Sequence, residues 1–236
     1  IVEDVHHVFM QLTSIGRGPA LKALWQAPFS LASRLAELIA FEAAEAKAGR
    51  PARIAARLNA VSDENTMHAL YRAAAGGVAI DLLVRGVCCL RPGLPGLSQS
   101  LRVRSVLGRF LEHSRVFLFH HAGEQLVYLS SADWMYRNLH RRVEIAVPVR
   151  DPALKRRVIE ECLDLPWLDD LTAWELQSDG SYARVRAKDA RTPHCAQQML
   201  LQRLAEHPRA PVTAAGRRTE DEPHEKKKGK GKNRGR

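Results

Sequence analysis

Between residues 52 and 84 the spacing of the apolar side chains changes twice. Ala52 to Leu58 reads as a strand. From Asp63 to Ala75 the positions Met67, Leu70, Tyr71 and Ala74 share one helical face, and Val78 to Val84 is β-rich again after Gly76-Gly77. Strand, helix and strand within about 35 residues make a βαβ unit, so the two strands are expected to lie parallel. That single unit commits the chain to an α/β fold. It also locates a site, because ligands of such sheets bind beyond the carboxyl ends of the strands. The second strand ends at Arg85-Gly86. An arginine there can aim five donors at a phosphate, and the glycine allows that phosphate close to the backbone. Taken alone the feature is weak, since many strands end in a solvated arginine.

The flanking sequence adds elements on both sides. Phe29 to Gly49 reads as a helix with Ser30 at its cap and Leu31, Leu35, Leu38, Ile39 and Ala43 in one stripe. Arg91 to Ser100 is a loop, Leu101 to Val106 a strand, and Gly108 to His113 a short helix. Val116 to Phe119 and Gln125 to Ser130 form a hairpin whose turn exposes His120-His121. A strand from Val143 to Val149 precedes a helix from Asp151-Pro152 to about Leu163, with Asp as cap and Pro in the first turn. Trp174 to Arg186 makes a small hairpin around Asp179-Gly180, and Thr192 to Ala205 is the last helix. Trp134, Trp167 and Trp174 read as core or interface residues, not as platforms for bases.

Charge is uneven along the 236 residues. The chain carries a formal +10, and Gly216 to Arg236 holds nine Lys/Arg against four Asp/Glu, so half of the excess lies in the last 21 residues. That segment has no large apolar side chain with which to order itself and is expected to be a disordered tail able to contact a polyanion. No apolar run approaches the roughly 20 residues of a membrane helix. Four cysteines without a CxxC pair support neither a disulfide framework nor a structural zinc, and fit a reducing, cytoplasmic setting. Residue 1 is Ile with no signal segment after it, so the chain reads as a fragment.

Three stretches combine cations with strand ends: Val84 to Leu90, Phe110 to Arg115 and Ser130 to Glu144. They offer Arg85, Arg109, Arg115, Arg137, Arg141 and Arg142, the neutral groups of Ser130, Ser131 and Asn138, and the imidazole of His113. Arginines with a histidine and small polar groups suit phosphoryl chemistry, in which catalysis is mostly positioning and charge stabilisation. The chain lacks GxxxxGK[ST], GxGxxG and GxSxG, so Walker-type, dinucleotide and hydrolase-elbow sites find no support. With ten histidines present, composition alone does not single out His113.

The strings VRGVCCLRPGLPGLS, GRFLEHSR and SSADWMYRN are long and rich in composition. From about Val5 to Ala205 the chain closely resembles the C-terminal part of bacterial polyphosphate kinases of the first type. The resemblance implies a phospholipase D-like mixed sheet with flanking helices. It also implies reversible transfer of the terminal phosphate of ATP onto inorganic polyphosphate, with Mg2+ and a phosphohistidine. Carried over residue by residue, the phosphate-contacting arginine falls on Arg85 and the essential histidine on His113. Ser130-Ser131-Ala132-Asp133 falls on the small-polar segment that follows that histidine. Arg57, Asn59, Ser131, Asp133, Arg137 and Asn138 are expected to line the same groove.

The same resemblance places the phosphorylated histidine and the magnesium ligands upstream of Ile1, so this chain would hold half of a two-lobed site, inactive in isolation. It divides the chain into 1–50 as the end of the preceding lobe, 51–206 as the catalytic domain and 207–236 as the tail. The expected partners are ATP, ADP and polyphosphate, in a homo-oligomer. His140 departs from the family, which has Asp there and so a partner for a nearby arginine. Two other readings compete. A phospholipase D-type phosphodiesterase would need HxK, whereas His113 is followed by Ser114-Arg115. A polyanion- or nucleic-acid-binding module would depend on the tail.

Overall fold

The computed structural model describes residues 1–13, 19–186 and 192–206. Among these residues nine strands form one mixed sheet: β1 (Trp25–Ala27), β2 (Arg53–Leu58), β3 (Ala79–Val84), β4 (Leu101–Val106), β5 (Arg115–Phe119), β6 (Leu126–Ser130), β7 (Glu144–Pro148), β8 (Ala173–Leu176) and β9 (Tyr182–Arg184). Their order across the sheet is β1-β7-β6-β5-β2-β3-β4-β8-β9. The helices are α1 (Val2–Thr13), α2 (Leu31–Lys47), α3 (Glu64–Ala75), α4 (Tyr136–His140), α5 (Pro152–Ile159), α6 (Leu165–Trp167) and α7 (Ala196–Glu206). A π-helical turn, Glu160–Asp164, joins α5 to α6.

The expected βαβ unit is present. β2 and β3 pair in parallel with Arg53 opposite Ala79 and Leu58 opposite Val84, and β3 pairs in parallel with β4. β5 lies antiparallel on the other side of β2. These central strands are buried on both faces, as parallel strands covered by helices must be. Ile54, Ala56 and Leu58 of β2 face one core with Leu35 and Ile39 of α2 and Leu70 of α3. Ala55, one residue out of phase, faces a second core with Val116, Leu118 and Leu163. Asp63 caps α3 by accepting from the amide of Thr66 at 3.0 Å and from its hydroxyl at 2.8 Å. Asp151 caps α5 in the same way, accepting from the Ala153 and Leu154 amides at 2.9 and 2.8 Å.

Several expectations need correction. Residues 108–113 form no helix. Both backbone groups of Phe110 are bonded to the side chain of Gln197, and a distant side chain therefore takes the place of helical partners. Ser30 does flank α2, but its hydroxyl accepts from Gln26 N at 3.1 Å and leaves the first turn of the helix uncapped. His120 and His121 are half-buried, not exposed, and the His121 ring lies 4.2 Å from that of Phe41. Their turn is held by Glu42, a fully buried carboxylate that accepts from the amides of Arg53 and His121 at 3.0 and 2.6 Å. Trp134 is buried, whereas Trp174 is 39% exposed. The core runs through the expected division at residue 50: Trp25, Leu31 and Leu35 pack in one cluster with Ile54 and Ile80, and β1 pairs with β7. The tail from 207 lies outside the described residues. Among the described residues no helix is long and apolar enough to cross a membrane.

The N-terminal helix is anchored chiefly by a buried carboxylate, Asp4, beside an exposed Glu3–Lys22 ion pair. Asp4 is buried and accepts from the amides of Lys22, Ala23 and Leu24 at 3.0, 2.6 and 2.9 Å. Burial alone would raise its carboxyl, but the three amides outweigh that and lower it from 3.8 to about 2. A group lowered on folding contributes stability above its unfolded value and loses it as the pH falls through the folded one. Asp4→Asn is therefore expected to cost roughly 1–2 kcal/mol near neutrality, after solvent screening, and much less near pH 2. Urea unfolding across that range checks it; an equal cost at both ends would contradict the assignment.

Candidate active site

Beyond the carboxyl ends of β2 and β3 the chain is knitted together by short bridges. Val61 N donates to Val87 O at 2.8 Å and Cys89 N to Val61 O at 2.9 Å. Ser62 N and Asp63 N both donate to Trp134 O, at 2.9 and 3.0 Å, and Trp134 N donates to Ala60 O at 3.2 Å. The segments after β2, β3 and β6 therefore run side by side, which places Asn59, Arg85 and Asp133 together. Gly86 belongs to this weave. A Cβ there would lie 2.8 Å from the carbonyl oxygen of Asn59, a backbone atom that cannot yield cheaply.

A continuous line of polar contacts results. Arg85 Nε donates to Asn59 Oδ1. Asn59 Nδ2 donates to Asp133 Oδ1 at 3.1 Å, and the same oxygen accepts from the amides of Asn59 at 2.7 Å and Ala60 at 3.3 Å. Asp133 is paired with Arg115, whose NH2 lies 2.9 Å from Oδ2 and whose Nε lies 3.3 Å from Oδ1. Arg115 NH1 reaches on to His113, at 2.9 Å from Nδ1 and 3.0 Å from its carbonyl oxygen. Burial alone would raise the Asp133 carboxyl, but the Arg115 guanidinium and the Asn59 and Ala60 amides hold it below its ordinary value.

This line fixes a protonation pattern. A guanidinium N–H can only donate, so Nδ1 of His113 accepts and the proton of the neutral ring sits on Nε2. His113 is exposed and Arg85 half-buried. Arg85 Nε is engaged by Asn59, and its terminal NH groups have no partner among the described residues. A small cleft beside them is lined by Arg57, Leu58, Leu83, Arg85, Glu112 and Ser114. Arg57 is buried at 8% exposure, pairs with Glu112, and has its guanidinium pKa lowered by that burial.

The remaining candidates fall elsewhere in the same region. Ser131 Oγ and Asn138 Nδ2 both donate to Glu144, the latter at 2.6 Å, so they tie the segment after β6 and α4 to β7. Arg137 and Arg142 are exposed, and Arg141 lies 5.7 Å from the Tyr136 ring. Arg109, also exposed, sits 5.7 Å from the Phe110 ring. His140 faces a carboxylate and not an arginine: its Nε2 is 3.3 Å from Asp63 Oδ1, without the alignment of a hydrogen bond. Sequence reasoning missed the roles of Glu112 and Gln197, which hold the loop before His113; Glu112 stands in the GRFLEHSR string without being singled out there, and Gln197 stands in none of the strings. Among the described residues no three side chains of the metal-ligating types cluster. Asp133 and Glu112 are already engaged by arginines and amide donors, so the residues present do not fit a magnesium site.

Arg85 and His113 thus lie together beyond the carboxyl ends of the parallel strands, the place where ligands of α/β sheets bind. Residues 24–197 match the family described as polyphosphate kinase C-terminal domain 2, and the chain belongs to that family. It is 56% identical over 187 residues to the polyphosphate kinase of Burkholderia multivorans, and 55% identical over 186 residues to that of Paraburkholderia phytofirmans. Both alignments cover 79% of this chain and 27% of the relative, so the chain spans about a quarter of the length of the curated relatives it matches. The crystal structure of polyphosphate kinase from Porphyromonas gingivalis superposes with a TM-score of 0.82 at 35% identity, over 87% of this chain and 31% of that one.

Proposed function

We propose that this chain supplies one wall of a phosphoryl-transfer site that moves the terminal phosphate of ATP reversibly onto inorganic polyphosphate. The observation that carries the reading is the unbroken polar line from Arg85 through Asn59, Asp133 and Arg115 to His113. In it Arg85 presents its free NH groups to nucleotide or polyphosphate oxygens. The Nε2–H of His113 donates a hydrogen bond to an oxygen of the transferring phosphoryl group and stabilises the charge that develops there in both directions, without giving up its proton. Arg115 is held by Asp133 and orients the imidazole. The covalent phosphohistidine belongs to a histidine outside this chain, and the magnesium that accompanies ATP takes its protein ligands there too.

The surroundings support a face that a second lobe covers. Val87, Leu107, Phe110 and Leu111 surround the line with side chains 58%, 57%, 47% and 75% exposed, an apolar rim next to a cationic centre. We further place the enzyme in a cytoplasmic homo-oligomer and assign the tail beyond 206 a role in holding polyanion.

The direct test is a chimaera in which this chain replaces the matching portion of the Burkholderia multivorans enzyme. It is expected to make polyphosphate from ATP, while the 236-residue chain alone incubated with γ-labelled ATP acquires no acid-labile phosphate. A folded chimaera without synthesis, or self-labelling by the isolated chain, would overturn the reading.

A further inference from the structure

The loop that carries His113 is held by two side chains from elsewhere in the chain: Arg57, which pairs with Glu112, and Gln197. Gln197, in the first turn of α7, is 7% exposed. Its Oε1 accepts from Phe110 N at 2.9 Å, and its Nε2 donates to Phe110 O at 2.8 Å and to Glu112 Oε1 at 2.7 Å. Both amide hydrogens and one oxygen lone pair are thus used within the three residues preceding His113. Gly108 makes room for this, because a Cβ there would overlap the Gln197 amide.

The clamp is itself rooted in the fold. The amide of Ala196 donates at 2.9 Å to Asp169, a carboxylate with no exposed surface that also accepts from Thr172 N at 2.6 Å. Leu107 N closes the loop onto Thr172 O at 3.3 Å. Apolar burial contributes little here, since Leu107, Phe110 and Leu111 are all exposed. The Arg57–Glu112 pair fixes the side chain of Glu112, and of these contacts only those of Gln197 grip the backbone before His113, while Arg115 fixes the ring from the other side.

We propose that Gln197 is a positioning residue for phosphoryl transfer, setting the height of His113 above the sheet through its amide clamp. The inference rests on the reading of His113 as the group that meets the transferring phosphate. Loss of the clamp leaves exposed backbone groups that water can satisfy, so the fold survives while the histidine loses its place.

Two measurements test it. In the full 236-residue chain, Gln197→Leu is expected to speed amide exchange at residues 109–113 by about 10-fold or more with little change in the unfolding midpoint. In the chimaera it is expected to lower kcat by about 10- to 100-fold and leave KM for ATP within about twofold. Gln197→Glu places a carboxylate against Glu112 and loses both donors. Its kcat is expected to be low near neutrality and to recover relative to wild type as the pH falls and the new carboxyl regains a proton to donate. Gly108→Ala displaces the same amide from the opposite side and is expected to reproduce the kcat loss, which keeps the test open if one variant folds poorly. Wild-type kcat in folded Gln197→Leu, or unchanged exchange at 109–113, would overturn the proposal. His113→Ala run in parallel separates the failures. If it turns over normally, the reading of the site fails; if it is inactive while Gln197→Leu is not, only the clamp fails.

Discussion

In the chimaeric enzyme His113→Ala is expected to reduce polyphosphate synthesis by about 10²- to 10³-fold, the range that one preorganised hydrogen-bond donor to developing charge supplies. The side chain is exposed, and among the described residues its one side-chain contact is with Arg115, so removing it costs the fold little. Arg85→Ala should fall by about 10²- to 10³-fold, because a guanidinium aimed at developing phosphate charge acts like an oxyanion donor. Arg85→Lys should recover little of that. An ammonium cannot hold Asn59 through a fixed N–H and still present a planar pair of donors. Steady-state kinetics with ATP, alongside circular dichroism, checks both. Either variant turning over at the wild-type rate would take its residue out of the site.

The largest effect on stability is expected at Asp133. Its side chain is 8% exposed and its partner Arg115 is 12% exposed, so Asp133→Ala leaves a guanidinium buried without a counter-charge. It also deprives the Asn59 and Ala60 amides and Asn59 Nδ2 of their acceptor. Breaking a buried pair from one side costs about 3–5 kcal/mol. The pH dependence has a fixed sign. The carboxyl is lowered on folding from a reference of 3.8, so the contribution of the pair is complete above about pH 4 and is lost on acidification below it. Urea unfolding of Asp133→Ala at pH 7 and pH 3 should show the gap from wild type narrowing at the lower pH. A gap below about 1 kcal/mol at pH 7 would mean that water reaches Arg115 freely.

Much of the architecture was legible because it is written in local period. The β2-α3-β3 unit (53–84), the β5-β6 hairpin (115–130) and the two aspartate caps each depend on residues within one continuous stretch of sequence. Arg85 was legible for a related reason, since a parallel pair dictates where the strand ends and hence where a ligand meets it. His113 was not legible in that way; only the family resemblance distinguished it from nine other histidines. The loop before it was misread as helix because Phe110 takes its partners from Gln197, 87 positions further on, and no spacing rule reports a contact of that length. β1 was missed for being three residues long and Glu42 for looking like any exposed helix charge, although it is fully buried. Ser131 and Asn138, grouped with the groove by sequence, meet at Glu144 instead, a carboxylate that gave no sign of being shared.

The outermost strands of the sheet bear on how the protein behaves at high concentration. β1 and β9 have only three residues each, and Arg184 at the end of β9 turns its guanidinium back to the carbonyl of Leu171 at 2.8 Å. A ladder offered at either margin is too short to template another molecule's backbone. Fibrous growth by strand addition is thereby blocked at both borders, even though the long inner strands are apolar enough to support it.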